Sequence, residues 1–455
     1  MKRLKQIFQI IIVAIALTST AYSQQVRSSY FSMSQVGTSG KKIIRAYTPT
    51  SMLITSSHSG NMAMFAFIKN SDVLNYTTLP SNYSINDFVV LDSCMYFCGK
   101  NTTKNCGYIG MFNVPTPYQG IGAYTFIDID SSANLTKLVA YNGTISSTVG
   151  VAAIGTPKNT SFKSCVVDLN NYSGENRRWK YQYAQVAKEE ITDICDATPD
   201  FLVTIGKSNT TLLGSVVLNH LCLRRYKKSS VLGSNIKDES QEYSLGALPY
   251  NDDSFLVEPI GDDNIAVVGL RSLIFEVVRT ASPHTAIIMK IDVNTLVLNA
   301  QQTLSLDGNE SRQLNELEYF PSENILGIAL RKGDNNGEFL FADMTQTQTY
   351  TSSKLWKDNY IFNSITRSNN NNFALSCTQY ITSSPRLYIL QDNLNTFQSS
   401  NCSANATIDI NATTQWDSPT MRLKSFSVQD RVNASIVFEP ASIYETTVDV
   451  HCIDN

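Results

Sequence analysis

Apolar positions in this chain come in short runs, roughly four to eight residues long, that alternate with polar positions and end in tight polar turns. A period of two marks half-buried strands. Phe88 to Val114, FVVLDSCMYFCGKNTTKNCGYIGMFNV, shows the pattern most clearly. It reads as a strand at 88–91, a turn at Asp92, a second strand from Cys94 to Cys98 closed by Gly99, a polar loop, and a third strand from Gly107 to Val114. Six further stretches follow the same plan: Ser51–Asn70, Lys137–Asn171, Ile191–Leu223, Leu256–Thr295, Leu317–Gln346 and Ser364–Asn393. The residues at the end of each second strand are Ser56, Gly99, Gly155, Gly206, Gly269, Arg331 and Cys377, a spacing of about 54 residues that suits repeat architectures.

Between the units there is room for a fourth strand, and Leu74–Pro80, Trp179–Val186, Glu242–Pro249 and Gln302–Gly308 have the right pattern for one. Four strands per repeat at this period predict the blades of a β-propeller. The physical reason for repetition is burial: a four-stranded sheet that is apolar on both faces needs a neighbour on each side. The expected fold is therefore all-β, a seven-bladed β-propeller of the WD40-like kind, with eight blades as the runner-up and a short C-terminal β extension. Turns rich in Asp, Asn, Gly and Pro at Asp92, Thr198, Gly261, Pro321 and 368–372 break helical periodicity, and Val186–Asp193 is the one short window with a helical pattern. Val26–Val36 alternates like a strand and is expected to close the ring by joining the last blade. The strand-like runs after Ser400 would finish that blade, form the extension or make the eighth blade.

The N-terminus changes the picture from fold to compartment. A basic start, Met1 to Lys5, precedes an apolar stretch from Ile7 to Leu17 and a small-x-small site at Ala21-Tyr22-Ser23. This predicts a secretory signal peptide at 1–23, with the propeller at 24–400 and the C-terminal strands at 401–455. The expected location is periplasmic, cell-surface or secreted, with no membrane span. Export permits disulfides, and the nine cysteines leave at least one unpaired. Cys402–Cys452, which would pin the tail, and Cys195–Cys222, within one repeat, are the candidate pairs. Most cysteines sit in apolar runs, where a thiol also packs as a small hydrophobe.

Charge excludes more than it suggests. A net charge of −3 gives no basic field for nucleic acid. Four scattered histidines, His58, His220, His284 and His451, stand in no metal or triad signature, and no GxSxG, HExxH or phosphate-binding loop is present. Asp168 to Glu175 resembles a calcium loop only in part and reads as an Asx-rich turn. No catalytic residue, metal site or cofactor is therefore assigned. Asp87, Asp92, Asp193, Glu258 and Glu318 fall on or beside first strands, where propeller enzymes acting on sugars carry paired acids. No acid recurs at one position, so solvated turns and channel-lining groups explain them better than a catalytic pair does. Trp179, Trp356 and Trp416, with Tyr181 and Tyr183, lie in polar contexts and could stack on sugars, anchor a protein, or pack between blades. The binding candidates are thus Trp179, Tyr181, Trp356, Asp92, Asp193 and Glu258. Asn-x-Ser/Thr triplets at Asn75, Asn101, Asn209 and Asn433 would be glycan acceptors in a eukaryotic source.

The YFCG…GYIGMFNV block, the seven-fold pattern and the secretory N-terminus resemble uncharacterised secreted β-propeller proteins of Bacteroides-like bacteria. The resemblance covers most of the chain and implies a fold and an exported location, with no catalytic residues to carry over. Three functions follow as expectations. The first is a non-catalytic binding or scaffold propeller with a protein or glycan at the channel mouth. The second is a carbohydrate-active hydrolase or lyase using channel carboxylates, and the third is a subunit of an envelope assembly.

Overall fold

A computed structural model describes residues 27–31, 38–46, 52–59, 62–69, 72–114, 124–142, 149–170, 178–183, 190–212, 216–228, 239–243, 250–273, 285–305, 312–333, 336–344, 353–357, 360–369, 372–381, 384–393 and, in the tail, 420–421, 429–431, 436–439, 442–443 and 448–452. The stretch 1–23 predicted as a signal peptide, His284, Cys402, Trp416 and Asn433 lie outside them.

The described residues form strands, turns and bends and no helix; of the window Val186–Asp193 with its helical pattern, 186–189 lie outside the described residues and the rest belongs to the strand Glu190–Asp196. Strand β1 (Arg27–Phe31) precedes a first sheet of β2 (Thr38–Ala46), β3 (Met52–Ser59), β4 (Met62–Lys69) and β5 (Asp72–Thr78). The second sheet is β6 (Tyr83–Leu91), β7 (Cys94–Asn101), β8 (Cys106–Asn113) and β9 (Tyr124–Ile129). The third is β10 (Ser132–Asn142), β11 (Val149–Pro157), β12 (Cys165–Asn170) and β13 (Arg178–Tyr183). The fourth is β14 (Glu190–Asp196), β15 (Phe201–Leu212), β16 (Val216–Lys227) and β17 (Glu239–Tyr243). The fifth is β18 (Tyr250–Gly261), β19 (Asn264–Leu273), β20 (Thr285–Asp292) and β21 (Val297–Ser305). The sixth is β22 (Arg312–Phe320), β23 (Ile325–Lys332), β24 (Asn336–Asp343) and β25 (Ser353–Lys357). The seventh begins with β26 (Tyr360–Asn369), β27 (Asn372–Ile381) and β28 (Ser384–Asn393), and β1 is its fourth strand, pairing Arg27 with Gln391. The N-terminal strand thus joins the last sheet, as its alternation suggested.

Five short strands follow in the tail: β29 (Thr420–Met421), β30 (Gln429–Arg431), β31 (Ile436–Glu439), β32 (Ser442–Ile443) and β33 (Val448–Cys452). They add a fifth strand to the fourth, third, second, first and seventh sheets in that order, so the tail runs against the direction in which the sheets were laid down.

All the pairings are antiparallel, and each sheet is open. Burial comes from stacking. Seven apolar clusters lie between sheets, each joining one sheet to the next. The last of them, with Ile43, Leu53, Ala374, Leu387 and Ile389, joins the seventh sheet back to the first. The aromatic-rich seam lies between the first two sheets, where the Phe65 ring meets Phe88, Phe97 and Phe112 at 5.4, 5.3 and 5.6 Å. First strands also contact first strands around the whole circuit, with β26 returning to β2. The architecture is β-propeller-like.

The recurring glycines have a different role from the strand-ending one that the sequence suggested. Gly99, Gly155 and Gly206 lie inside β7, β11 and β15. A methyl group at these positions would stand 1.7 Å from the Ser84 carbonyl oxygen, 2.1 Å from that of Asn134 and 2.1 Å from that of Glu190. The first strand pushes a carbonyl onto its neighbour at the same place in three consecutive sheets. Gly99→Ala is expected to destabilise the protein by about 1–3 kcal/mol, since backbone must move to admit the methyl. A urea midpoint within error of the parent protein would contradict this.

Candidate functional site

The carbonyls that crowd these glycines belong to β-bulges. In each sheet the pairing of first and second strand slips at a corresponding place: between Gly40 and Ile43, Ile85 and Asp87, Leu135 and Lys137, Ile191 and Asp193, Asp252 and Ser254, Leu314 and Glu316, and Phe362 and Ser364; the third, fifth and seventh sheets slip a second time, between Ser132 and Asn134, Pro259 and Gly261, and Arg367 and Asn369. A bulge adds a residue to one strand and re-aims the side chains around it. The added residues tie sheets together. Asn86 donates to the Leu135 carbonyl at 2.6 Å, Asn315 to the Phe362 carbonyl at 2.6 Å, and Thr192 to the Phe255 carbonyl at 2.7 Å. In each case the acceptor is on the first strand of the following sheet.

The residue after the bulge is charged in four sheets: Asp87, Lys137, Asp193 and Glu316. In the first sheet the charge comes one place earlier, from Lys42. These groups meet. Lys42 Nζ lies 2.6 Å from Asp87 Oδ1 and 3.9 Å from Glu316 Oε2. Lys137 Nζ lies 3.2 Å from Glu316 Oε2. Glu316 of the sixth sheet therefore touches lysines of the first and third, so the bond crosses the ring rather than following it. Backbone amides complete the carboxylate shells. Asp87 Oδ2 accepts from Leu138 N at 2.8 Å, and Asp193 Oδ2 from Val257 N at 2.9 Å. Further along the same strands, Glu258 Oε1 accepts from Tyr319 N at 3.4 Å and Glu318 Oε1 from Arg367 Nε at 3.2 Å. The circuit closes where Ile43 N donates to Ser364 Oγ at 3.2 Å.

Five carboxyl groups thus share the interior with three cations, Lys42, Lys137 and Arg367. Ionised groups in a poorly solvated interior need partners, and an excess of one sign is relieved by taking up protons. Burial pushes the Asp193 carboxyl up to about 6, partly offset by Lys137 and reinforced by Glu316. Burial also raises Glu318 to about 7 against the pull of Arg367. Glu258 is raised well above the carboxylate range, first by burial and then by Glu318 and Glu316. Burial works against both ammonium groups, but nearby carboxylates outweigh it. Asp87 and Glu316 hold Lys42 charged, and Glu316, Asp193 and Asp87 do the same for Lys137.

Of the residues singled out from sequence, the structure brings Asp193, Glu258, Asp87 and Glu318 into this layer. Asp92 is elsewhere, exposed at the β6–β7 turn with a φ of 55°. Trp179 and Tyr181 lie on β13, paired with Arg431 and Gln429 of β30, and Trp356 lies on β25 opposite Glu338. These three occupy fourth strands, away from the first strands that carry the charges. The Cys195–Cys222 disulfide is not formed. Both are buried, in no disulfide, on β14 and β16 with β15 between them, and strands two apart hold their backbones about 9–10 Å apart, beyond disulfide reach. Cys94, Cys98, Cys106, Cys165 and Cys377 form no disulfide either. Cys452 lies on β33, while its proposed partner Cys402 is outside the described residues. Asn101 is no surface marker: its side chain is buried and donates to Asp128 Oδ1 at 3.2 Å. Asp168 accepts from the Tyr141 hydroxyl. Among the described residues no His, Cys, Asp or Glu group is arranged to hold a metal ion, and no helix is long and apolar enough to cross a membrane.

Lys42, Lys137, Glu316 and Arg367 were missed in the sequence. A signal for two of them, Lys137 and Glu316, is in the chain: an apolar residue, a small polar one and a charged one recur four times, as Ile85-Asn86-Asp87, Leu135-Thr136-Lys137, Ile191-Thr192-Asp193 and Leu314-Asn315-Glu316.

No family model matches the chain, and no curated protein sequence does. Several solved structures resemble it distantly, among them the following. A protein of unknown function from Dyadobacter fermentans DSM 18053 shares 8% identity at a TM-score of 0.40, covering 81% of this chain and 99% of that one. The periplasmic gluconolactonase PpgL of Pseudomonas aeruginosa shares 9% at a TM-score of 0.38, covering 87% and 99%. The N-terminal domain of Nup159 shares 8% at a TM-score of 0.37, covering 81% and 96%.

Proposed function

We propose that the chain is a seven-bladed β-propeller, exported by its N-terminal signal, that works as a non-catalytic binding or scaffold module with a protein or glycan docking at the mouth of the ring. Seven sheets joined by seven apolar seams favour seven blades over eight. One observation carries the functional reading: the Lys137–Glu316 contact between the third and sixth sheets. It plugs the centre with groups that already satisfy one another. A glycosidase needs two carboxyl groups flanking an open space for sugar or water, one of them free to give a proton. Asp87 and Glu316 are instead held by lysines, and Asp87 and Asp193 by amides of the next sheet. A ligand is thus left with a face of the ring rather than a passage through it.

The near-neutral carboxyl of Glu318 beside Glu258 favours a second reading, the carbohydrate-active hydrolase or lyase, because a proton donor working at neutral pH needs a raised pKa. Glycan-array binding and pulldown with the chain from Gln24 onward separate the two. Saturable glycan or protein binding without turnover is the expected result. Turnover of a polysaccharide that falls by about 100-fold or more in Glu258→Gln or Glu318→Gln would replace the binding reading with the enzymatic one. Recovery in a fixed-ratio envelope complex would favour the assembly subunit.

A further inference from the structure

The small net charge of −3 conceals a separation of charge between the two ends of the circuit. Lys42, Asp87, Lys137 and Glu316 meet at one level, and the bonds from Asn86 to Leu135 and from Asn315 to Phe362 join first strands at equivalent places, so the first strands run in the same sense. Each sheet is an antiparallel meander. The loops between second and third strands therefore lie at one end of the circuit, and the first-to-second and third-to-fourth turns lie at the other. At the turn end stand Asp92, Asp200, Asp262, Asp263, Asp292 and Glu323, all exposed or half-buried. Of the cations near them, Lys290 is half-buried, while Arg225 and Lys228 are buried and donate to the carbonyls of Val293 and Thr198 at 2.7 Å.

The loop end has the opposite sign. Lys100, Lys104, Lys158 and Lys163 stand on the loops of the second and third sheets, and Lys207, Arg331 and Lys332 lie toward the same end of the fourth and sixth. The acids beside them are fewer. Asp128 is buried and held by Lys104 at 2.6 Å, Glu190 pairs with Lys207 at 3.7 Å, and Asp130 is exposed. Among the described residues Lys100, Lys158 and Lys163 enter no salt bridge. We propose that this end binds an acidic polysaccharide, a chain of uronate or sulfated sugars laid across the β7–β8 and β11–β12 loops. The inference rests on the binding-module reading above and names its ligand class and its face.

The two loops are neighbours and are held in place. Lys158 N donates to the Ser131 carbonyl at 2.9 Å, and a methyl group at Gly107, just past the first loop, would stand 2.9 Å from Ser132 Oγ. Both loops thus flank the turn from β9 to β10. Within the first, Lys104 N donates to Asn101 Oδ1 at 3.1 Å; within the second, Ser161 N donates to Asn159 Oδ1 at 3.1 Å. A pinned loop loses little freedom on binding. Lysine ammonium groups on flexible stems suit a repeating anion, because they meet carboxylate or sulfate without demanding one geometry. The exposed side chains of Thr102, Thr103, Asn105, Thr160 and Ser161 supply hydroxyls and amides for sugar hydroxyls. A single-stranded nucleic acid would instead need a row of aromatic faces, and the two loops carry one aromatic residue, the half-buried Phe162.

The test measures binding of the chain from Gln24 onward to polygalacturonate, to a sulfated dextran, to neutral dextran and to a single-stranded oligonucleotide of matched charge. Both acidic polysaccharides should bind and neutral dextran should not. The binding constant should fall by about tenfold or more between about 50 and 200 mM salt, as expected when three or more lysines are engaged. Lys158→Glu combined with Lys163→Glu should weaken binding by about tenfold or more and flatten the salt dependence, with the urea midpoint showing that the fold is kept. Asp92→Asn combined with Asp200→Asn, at the other end, should leave binding unchanged. Unweakened binding in the lysine variant would overturn the inference, as would tighter binding of the oligonucleotide. Salt-sensitive self-association without polysaccharide binding would assign the basic end to the acidic end of a second copy and overturn it too. Saturable binding of a neutral glycan or a protein alone would end this inference and leave the binding module standing, whereas turnover of a polysaccharide would end the module reading itself.

Discussion

Replacing Asp87 with alanine is expected to cost about 3–5 kcal/mol of folding stability, the range for leaving one partner of a buried ion pair alone. Asp87 is 2% exposed and ties three first strands together: it sits on β6, takes the Lys42 ammonium from β2 and accepts the Leu138 amide from β10. Alanine would leave the ammonium with the more distant Glu316, at 3.9 Å, and beside Lys137, a like charge that already disfavours its protonation. It would also leave the Leu138 amide without its acceptor. Lys42 keeps 18% of its surface, so water softens the first effect and the lower end of the range is expected. Asp87→Asn retains an acceptor for the amide and should lose less than Asp87→Ala. Pairing Asp87→Asn with Lys42→Met should recover part of the loss, because no charge is then left over. Urea titration followed by circular dichroism measures all three, and an Asp87→Ala protein within about 1 kcal/mol of the parent would mean that the charged layer does not hold the first strands together.

A second large effect is expected at Arg312 and Glu338. Arg312 Nε and Glu338 Oε2 are 2.6 Å apart, and both side chains are 0% exposed. Glu338 is in register with Leu330, and Leu330 with Leu314, two members of the apolar cluster between the fifth and sixth sheets. Removal of either partner alone, by Arg312→Ala or Glu338→Ala, should cost about 3–5 kcal/mol. Arg312→Met with Glu338→Leu should be far milder than either single change, since two charges then leave a low-dielectric seam together and the surrounding leucines and isoleucines accept the new side chains. A double variant no better than the sum of the singles would show that hydrogen bonds to other groups, and not the pair itself, hold these residues.

Several features could be read from the chain because they rest on local pattern. The fourth strands at 74–80, 179–186, 242–249 and 302–308 overlap β5, β13, β17 and β21. The first strands were cut short for a physical reason. A bulge inserts one residue and flips the alternation, so Phe88, Lys137, Leu256, Leu317 and Ser364 looked like beginnings although β6, β10, β18, β22 and β26 start several residues earlier. The same slip hid the charged layer. Acids and bases take turns at one structural position, Asp87, Lys137, Asp193 and Glu316, so a search for a recurring acid finds none. Lys137 and Glu316 are 179 residues apart, and only the closing of the circuit puts them in contact.

The pairing of β1 with β28 has a consequence for how the molecule is made. Arg27 and Gln391 face one another, so the earliest strand waits for almost the whole chain before it finds its place. Contacts between such distant residues form late, after the loop-closure entropy of everything between has been met. During that interval the outer edge of β28 is an open row of amides and carbonyls, the kind of edge to which a strand from another copy can add. Synthesis thus passes through a stage in which the nearly finished circuit of sheets can pair with the wrong molecule, and the five residues of β1 stand between a circuit that closes on itself and strand exchange with another copy.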